Sequence, residues 1–246
     1  MNNKVFYDLH IHSCLSPCAS DDMTPFNIAG MAILKGLNVI ALTDHNTTDN
    51  CPAFFEACYG YGIVPIAGAE VTTSEDIHVL TLFESLEASM DFGTFLRSKR
   101  VLIENSPEVF GNQLIVDSND TVIGEEKYLL INAVDISVDD VYEIANKYSG
   151  IALPAHIDKN SNSMVSVLGT VPNSSFTAFE FADFTNVDEY VKKYSSLLDK
   201  RFISNSDAHY LWDINEKINF FDTFAESSDT NEVVRDLFAF LRGEKQ

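Results

Sequence analysis

Short apolar runs rich in β-branched and aromatic residues alternate along the chain with segments of helical period. This alternation is typical of βα units repeated around a parallel sheet. Apolar residues at helical spacing predict helices within 138–145, 187–194 and 234–241. The pattern therefore predicts an α/β fold in which helices pack on a sheet. The predicted strands are residues 4–12, 38–45, 63–73, 77–83, 150–157, 177–183, 201–207 and 217–225.

Segment 113–125 departs from this pattern. Two short apolar runs in it flank Asp117-Ser118-Asn119-Asp120, which predicts a β-hairpin. No shift in composition marks a second domain, and 246 residues fit one domain of this class. We therefore expect a single domain over residues 1–246, with the hairpin as a small insertion.

Apolar residues make up 46% of the chain, yet no apolar run reaches the roughly 18 residues that a membrane-spanning helix needs. The N-terminus lacks the apolar core of a secretory signal. We therefore expect a cytoplasmic protein without a membrane partner. Four cysteines in a chain of this length do not form a dense disulfide framework, so free thiols are expected.

The formal net charge is -21, and the sixteen basic residues are scattered rather than gathered into a stripe. Such a charge repels a nucleic-acid backbone, so the sequence predicts that extended nucleic acid is not a partner. A small phosphorylated molecule can still bind if cations in the site reverse the local potential. The oligomeric state is left open.

The six histidines fall at the ends of predicted strands. Active sites of parallel barrels gather at the carboxyl ends of strands, because the loops there converge on one mouth. This placement predicts that the histidines meet at one site. They are His10 and His12 at the end of the first strand, His45 at the end of the second, His78 at the start of the fourth, His156 at the end of the fifth and His209 after the seventh.

The nature of these side chains indicates metal binding. His10 and His12 are separated by one residue, so on a strand both imidazoles point to the same face. Carboxylates also lie at strand ends, with Asp44 before His45 at the second strand, Glu70 after the third strand and Asp207 shortly before His209 after the seventh. Imidazole and carboxylate are ligands of zinc, iron and manganese, and a bridging carboxylate holds two cations close together. The sequence therefore predicts a multinuclear metal site.

At these residues the sequence resembles the PHP family, which is named for bacterial DNA polymerases and histidinol phosphatases. The matching segments run in the family's order through most of the chain. They are Asp8-Leu9-His10-Ile11-His12-Ser13, Ser20-Asp21-Asp22-Met23-Thr24-Pro25, Ile40-Ala41-Leu42-Thr43-Asp44-His45-Asn46, Gly68-Ala69-Glu70-Val71, Ile77-His78-Val79-Leu80, Pro154-Ala155-His156 and Ser206-Asp207-Ala208-His209.

The resemblance implies a distorted seven-stranded (β/α) barrel with two or three divalent metals, zinc, manganese or iron, at its mouth. It assigns His10, His12, Glu70 and Asp207 to the first metal. The second metal would share Glu70 and add His78 and His156. The third would use His45, His209 and a residue after the first strand, for which Asp21 is favoured and Cys18 is the alternative.

The resemblance also implies hydrolysis of a small phosphate ester, either a phosphomonoester or a nucleotide phosphodiester. We expect a metal-bound hydroxide near Glu70 as the nucleophile, with Asp207 holding the first metal. Lys159 either grips the substrate phosphate or is a solvated loop lysine. Asp44 either orients a ligand or assists the leaving group. The alternatives are a metal-dependent amidohydrolase and a non-catalytic metal-binding accessory module.

Overall fold

The computed structural model describes residues 3–224 and 229–244 as an α/β fold built on a curled six-stranded sheet. The strands are β1 (Asn3–Ile11), β2 (Val39–Leu42), β3 (Val64–Thr72), β4 (His78–Phe83), β5 (Leu114–Val116), β6 (Val122–Glu125), β7 (Gly150–Pro154), β8 (Ala178–Glu180), β9 (Arg201–Ile203) and β10 (Phe220–Thr223). The helices are α1 (Pro25–Lys35), α2 (Cys51–Tyr61), α3 (Leu86–Lys99), α4 (Pro107–Phe110), α5 (Val138–Lys147), α6 (Met164–Leu168), α7 (Val187–Lys193) and α8 (Thr230–Leu241). Three short 3₁₀ segments are Phe184–Asn186, Ser195–Leu197 and Leu211–Asp213.

Each of the eight predicted strand segments contains an observed strand, and α5, α7 and α8 lie on the three predicted helical stripes. Residue 225, the last of the predicted strand 217–225, lies outside the described residues. None of the helices among the described residues is both long enough and apolar enough to cross a membrane.

The sheet has the order β10-β1-β2-β3-β4-β7, and β8 and β9 form a separate parallel pair. Strands β1, β2 and β3 are parallel, whereas β4 is antiparallel to both β3 and β7. The expected all-parallel arrangement is wrong at β10, which pairs antiparallel with β1, and at β4, where the chain reverses within residues 73–77. A parallel neighbour would need a crossover of a dozen residues or more.

Hydrogen bonds outside the named strands connect the β8–β9 pair to the large sheet. Ile157 N donates to Glu180 O at 2.9 Å, and His12 N donates to Ala208 O at 3.0 Å. These bonds bring the loops after β7, β8 and β9 to the same mouth as the loops after β1, β2 and β3. The antiparallel β4 begins at that mouth, which is why its first residue, His78, faces the site.

The chain segment between α3 and α5 contains the predicted hairpin. Strands β5 and β6 pair antiparallel, with Ile115 opposite Gly124, which confirms a hairpin within 113–125. The paired region is longer than predicted, since isolated bridges join Arg100 to Val134 and Glu104 to Tyr128. We call residues 100–136 the insertion.

Apolar side chains fill the interior of the curled sheet below this mouth. Val5, Leu9 and Leu80 are buried there together with Leu237 and Phe238 of α8. Burial of this apolar surface stabilises the fold. It also leaves the polar side chains that the sequence predicts for the site at the opposite end of the strands.

Candidate metal centre

Glu70 lies at the centre of the site, and five imidazoles face its carboxylate. Its Oε1 is 2.8 Å from His78 Nδ1, 3.2 Å from His156 Nε2 and 3.4 Å from His10 Nε2. Its Oε2 is 3.0 Å from His45 Nδ1 and 3.4 Å from His12 Nε2. The Glu70 side chain is almost fully buried, so this carboxylate depends on the imidazoles for its polar contacts.

Asp207 closes the side of the site next to β1. Its Oδ1 lies 3.2 Å from His10 Nε2 and 3.3 Å from His12 Nε2. The two imidazole Nε2 atoms are themselves only 3.1 Å apart. Asp207 has φ 52 and His156 has φ 29, so left-handed backbone turns direct both side chains into the site. Such strained conformations cluster at functional sites.

The arrangement of donor atoms fits divalent cations. His45 Nδ1 and Glu70 Oε2 lie 3.0 Å apart without the geometry of a hydrogen bond, and both are buried without a hydrogen-bond partner. Buried polar atoms are usually paired, so unpaired nitrogen and oxygen donors that converge indicate a ligand between them. Imidazole with carboxylate suits zinc, iron or manganese.

The described residues form three groups whose donor atoms lie within 4.8 Å of one another. The first group is the four residues predicted for the first metal, His10, His12, Glu70 and Asp207. The second contains Glu70, His78 and His45, and His156 contacts the same Glu70 oxygen as His78. The third contains His12, His45 and His209.

Asp21 and Cys18 belong to none of these three groups. Asp21 is exposed, and its Oδ2 accepts a hydrogen bond from Asn112 Nδ2 at 2.8 Å. Cys18 is also exposed, and its thiol is free, as are those of Cys14, Cys51 and Cys58. The structure therefore brings eight of the nine predicted ligands together and leaves Asp21 outside. Which residues hold metals stays a prediction.

The proton equilibria of the site follow from its burial and its paired charges. Burial alone would raise the pKa of Glu70, but the imidazoles of His78, His10 and His45 hold this pKa well below its ordinary value. Burial would lower the pKa of His12, but Asp207 and Glu70 raise it to about 9. Burial, helped by His12, lowers the pKa of His45 to about 3. A cation must therefore displace a proton to bind His12, whereas the imidazole of His45 is already neutral.

Asp44 supports His12 through a serine. Ser16 Oγ donates to Asp44 Oδ1 at 2.7 Å and lies 3.0 Å from His12 Nδ1. Ser13 donates to Asp44 through its N–H at 2.7 Å and its hydroxyl at 2.6 Å. With Nδ1–H pointing at Ser16, the Nε2 atom of His12 is free to bind a cation. These contacts support ligand orientation by Asp44 rather than contact with a leaving group.

Glu180 orients the imidazole of His10 in the same way, and this residue was not predicted from the sequence. Its Oε2 lies 3.0 Å from His10 Nδ1 and accepts the N–H of His156 at 2.9 Å. Asn205 Nδ2 donates to its Oε1 at 2.7 Å. A carboxylate behind an imidazole fixes the tautomer that presents Nε2 to a metal. The available signal was a charged residue within the apolar strand segment 177–183.

A small cavity of about 120 Å³ opens onto this cluster. It is lined by His45, Glu70, His78, His156, Lys159, Ser161, Asn162, Asp207 and His209. The Lys159 side chain is 40% exposed, and its ammonium contacts Asp207 Oδ2. This places the lysine at the rim of the cavity, on the outer side of the Asp207 carboxylate.

Residues 8–203 match the sequence model of the PHP domain. The chain belongs to the PHP domain family. The match extends from the residues just before His10 to the end of β9, so it includes six of the eight clustered residues and ends before Asp207 and His209.

Three comparisons show what the PHP domain is similar to. A 5'-3' exoribonuclease of Haemophilus influenzae is 33% identical over 113 residues, which are 44% of this chain and 39% of the relative. The lesion-specific endonuclease EndoQ of Pyrococcus furiosus has the same fold, with a TM-score of 0.65 and 20% identity over 98% of this chain and 56% of its own. A protein of Bifidobacterium adolescentis described as a metal-dependent phosphoesterase has a TM-score of 0.58 and 16% identity, over 100% of this chain and 99% of its own. This chain therefore spans less than two thirds of the first two proteins.

The prediction that extended nucleic acid is excluded as a partner was wrong. A structure of endonuclease Q in complex with a 27-mer duplex, with an abasic lesion at its active site, shares this fold, with a TM-score of 0.60 and 18% identity over 96% of this chain and 57% of that one. The reasoning failed because the net charge of -21 averages over the whole surface. A phosphate at a metal site meets the potential of the local cations instead.

Proposed function

We propose that this PHP domain uses two or three divalent cations to hydrolyse a phosphate ester of a nucleotide. The substrate is either a small phosphomonoester or phosphodiester, or the accessible end of a nucleic-acid strand. The observation that carries this proposal is the buried carboxylate of Glu70, which faces five imidazoles, those of His10, His12, His45, His78 and His156. Together with Asp207 and His209 these residues make eight donor side chains, more than one tetrahedral or octahedral ion can use.

Divalent cations bound in this cluster would activate water and neutralise phosphoryl oxygens, the two requirements of phosphate-ester hydrolysis. The chain's own residues organise that chemistry. Glu180 and Ser16 hold His10 and His12 with their Nε2 atoms toward the centre. Glu70 lies between two groups of donors, and Lys159 lies where a phosphoryl oxygen would enter the cavity.

The size of the cavity supports a substrate that is held by its phosphate. Pockets that enclose a drug-sized ligand usually measure about 300–1,000 Å³, whereas this one measures about 120 Å³. This space is closer in size to a phosphoryl group than to a nucleoside. The remainder of the substrate therefore lies outside the cavity, which is compatible with a mononucleotide and with a strand end. The exoribonuclease relative supports the choice of nucleotide esters.

Three finer expectations belong to the same proposal. Closure into a seven-stranded barrel is supported by the hydrogen bonds that join the β8–β9 pair to β1 and to the loop after β7. Zinc, manganese and iron are the candidate metals, since the donors are nitrogen and oxygen. A cytoplasmic location stays a prediction.

The test is reconstitution of the protein with manganese, iron or zinc, followed by metal analysis and a substrate screen. The screen includes mononucleotides, nucleoside bisphosphates, cyclic nucleotides, 5'-phosphorylated oligonucleotides and matched amides. We expect at least two metal equivalents and turnover of phosphate esters in preference to amides. One equivalent or less would refute the multinuclear site, and preferred amide turnover would favour the amidohydrolase alternative.

Glu70→Gln is the variant that tests the central carboxylate. We expect turnover to fall by several orders of magnitude and bound metal to be lost, because Glu70 belongs to two of the three donor groups. Glu143→Gln is the matched control, since Glu143 is exposed on α5. Near-normal turnover in Glu70→Gln would overturn the bridging role.

A further inference from the structure

The loop after β1, residues 13–24, borders the third donor group of His12, His45 and His209. Its Ser16 contacts His12 Nδ1 at 3.0 Å, as described above. Its Ser20 N–H donates to the carbonyl of His209 at 3.0 Å. Within the loop, the Cys14 N–H donates to the Met23 carbonyl at 2.8 Å. The position of this loop therefore affects two of the three imidazoles in the group.

We propose that the insertion is a positioning element that holds this loop, and with it the third cation group, in place. The proposal rests on the cation site of the proposed function and assigns a role to residues 100–136, which that function did not explain. The evidence is a series of contacts from the insertion to the loop and to the residue after His45.

The first contacts run along the backbone. Leu114 N–H donates to the Cys14 carbonyl at 2.9 Å. The buried Asn50 joins the two segments, since its Nδ2 donates to Ser13 Oγ at 3.0 Å and to the Leu114 carbonyl at 3.1 Å. Its Oδ1 accepts the Val116 N–H at 3.1 Å. One buried amide thus fixes the loop, the hairpin and the start of α2 relative to one another.

Side chains of the insertion also reach the far end of the loop. Asn112 Nδ2 donates to Asp21 Oδ2 at 2.8 Å. Asp120, at the tip of the hairpin, accepts a hydrogen bond from the Thr24 hydroxyl through its Oδ2. The loop is therefore held along its length, from Ser13 and Cys14 to Thr24. This explains why Asp21 faces the insertion rather than the imidazoles.

A further contact holds the third imidazole. Arg100 donates to the carbonyl of Asn46 through Nη2 at 2.8 Å and Nε at 3.1 Å. Asn46 directly follows His45 and has φ 51, a left-handed conformation. Glu126 of the insertion holds the guanidinium from the other side, at 2.9 Å from Arg100 Nη1. All three ligands of the group are thus connected to the insertion directly or through the loop.

Gly111 is the point at which the insertion meets the loop most closely. A Cβ at this residue would overlap the carbonyl oxygen of Pro17, and the backbone has φ 96, which disfavours a side chain. Gly124 lies in the same insertion, but a Cβ there would meet only Ile115, at an ordinary 3.8 Å. The same substitution at the two glycines therefore separates displacement of the loop from a general effect on the insertion.

The experiment compares Gly111→Ala with Gly124→Ala in the full chain. Calorimetric titration of the metal-free protein with manganese counts the cations and their affinities, and amide hydrogen exchange follows residues 13–24. We expect Gly111→Ala to weaken the binding of one cation, that of the third donor group, by about 10–100-fold, the range for groups that orient ligands, and to speed exchange in the loop. Gly124→Ala should match the wild type in both measurements.

Asn112→Ala, with Asn119→Ala as its control, repeats the test without backbone strain and decides it if Gly111→Ala does not fold. Asn119 is exposed, and its side chain has no described contact with the loop. Wild-type titration and exchange in Gly111→Ala and Asn112→Ala would overturn the positioning role. Cation binding without any phosphate-ester turnover in the wild type would instead refute the proposed function and leave this inference to be decided by the titrations.

Discussion

At the scale of single residues, Glu70 shows how a buried charge is accommodated. Transfer of a carboxylate out of water is costly unless it is paired and hydrogen-bonded. The five facing imidazoles supply that pairing, and burial in turn strengthens their attraction to the carboxylate. The effect of removing one member therefore depends on the others, because residues in one network do not act additively.

Lys159 is the residue that separates phosphate recognition from metal binding. Its ammonium lies on the Oδ2 side of Asp207, whereas Oδ1 faces His10 and His12. If it grips a phosphoryl oxygen, Lys159→Ala should lower kcat/KM by about 10–100-fold through loss of a charge-assisted hydrogen bond, with metal content intact. Steady-state kinetics on two different phosphate esters measure this effect.

The control for this prediction is Lys192→Ala, since Lys192 is exposed on α7. If Lys159 is a solvated loop lysine, both variants behave like the wild type. Unchanged kinetics at full metal occupancy would remove Lys159 from the site.

At the scale of elements, the periodicity of the sequence predicted which segments are strands but not how β4 runs. Apolar runs report which strands are buried on both faces, and β4 is buried on both faces, as are the parallel strands β2 and β3, so the pattern carried no sign of its direction. The direction of β4 depends on the tight turn at residues 73–77, where Asp76 has φ 63. His78 was still expected at the site, because its residue type and the family resemblance carried that prediction.

The imidazoles of His10 and His12 could be predicted because a spacing of two on a strand places side chains on one face. Glu180 and Ser16 could not, since their roles come from contacts between segments far apart in sequence. His10 and Glu180 are 170 residues apart. The length of the insertion was underestimated because its outer part pairs only through isolated bridges and has no regular alternation.

At the scale of elements, replacement of two helical glycines by alanine is expected to change the stability of the fold in opposite directions. Glycine in a helix costs about 0.5–1 kcal/mol relative to alanine. At Gly60 in α2 a Cβ would meet nothing within 4 Å, so Gly60→Ala should stabilise the fold by about that amount. At Gly93 in α3 a Cβ would overlap Thr48 Oγ1.

Thr48 is buried and cannot move freely, so Gly93→Ala should destabilise the fold by about 1–3 kcal/mol of overpacking, less the helical gain. Urea unfolding of both variants measures the change in the free energy of unfolding and its sign. Stabilisation by Gly93→Ala would contradict this prediction, because it would show that Thr48 can move away from α3 without a loss of stability.

At the scale of the whole molecule, the acidic surface and the cation cluster have opposite effects on a phosphorylated substrate. The net charge of -21 acts at long range and repels any polyanion during approach. Bound cations act at short range, inside a cavity of about 120 Å³. The approach of a substrate and the binding of its phosphate are therefore governed by different parts of the protein.

This separation predicts an unusual salt dependence if strand ends are substrates. The Debye length falls from about 30 Å at 0.01 M salt to about 8 Å at 0.15 M, so added salt screens the repulsion of the surface more than contacts in the cavity. The KM for a 5'-phosphorylated oligonucleotide should therefore fall as salt rises over this range, and the KM for the matching mononucleotide should change less, because it carries fewer charges. Proteins that bind nucleic acid through a basic surface show the opposite trend, since salt weakens their phosphate contacts. A KM for the oligonucleotide that rises steeply with salt would contradict this prediction and would indicate that clustered basic residues, rather than the cation site alone, hold the strand.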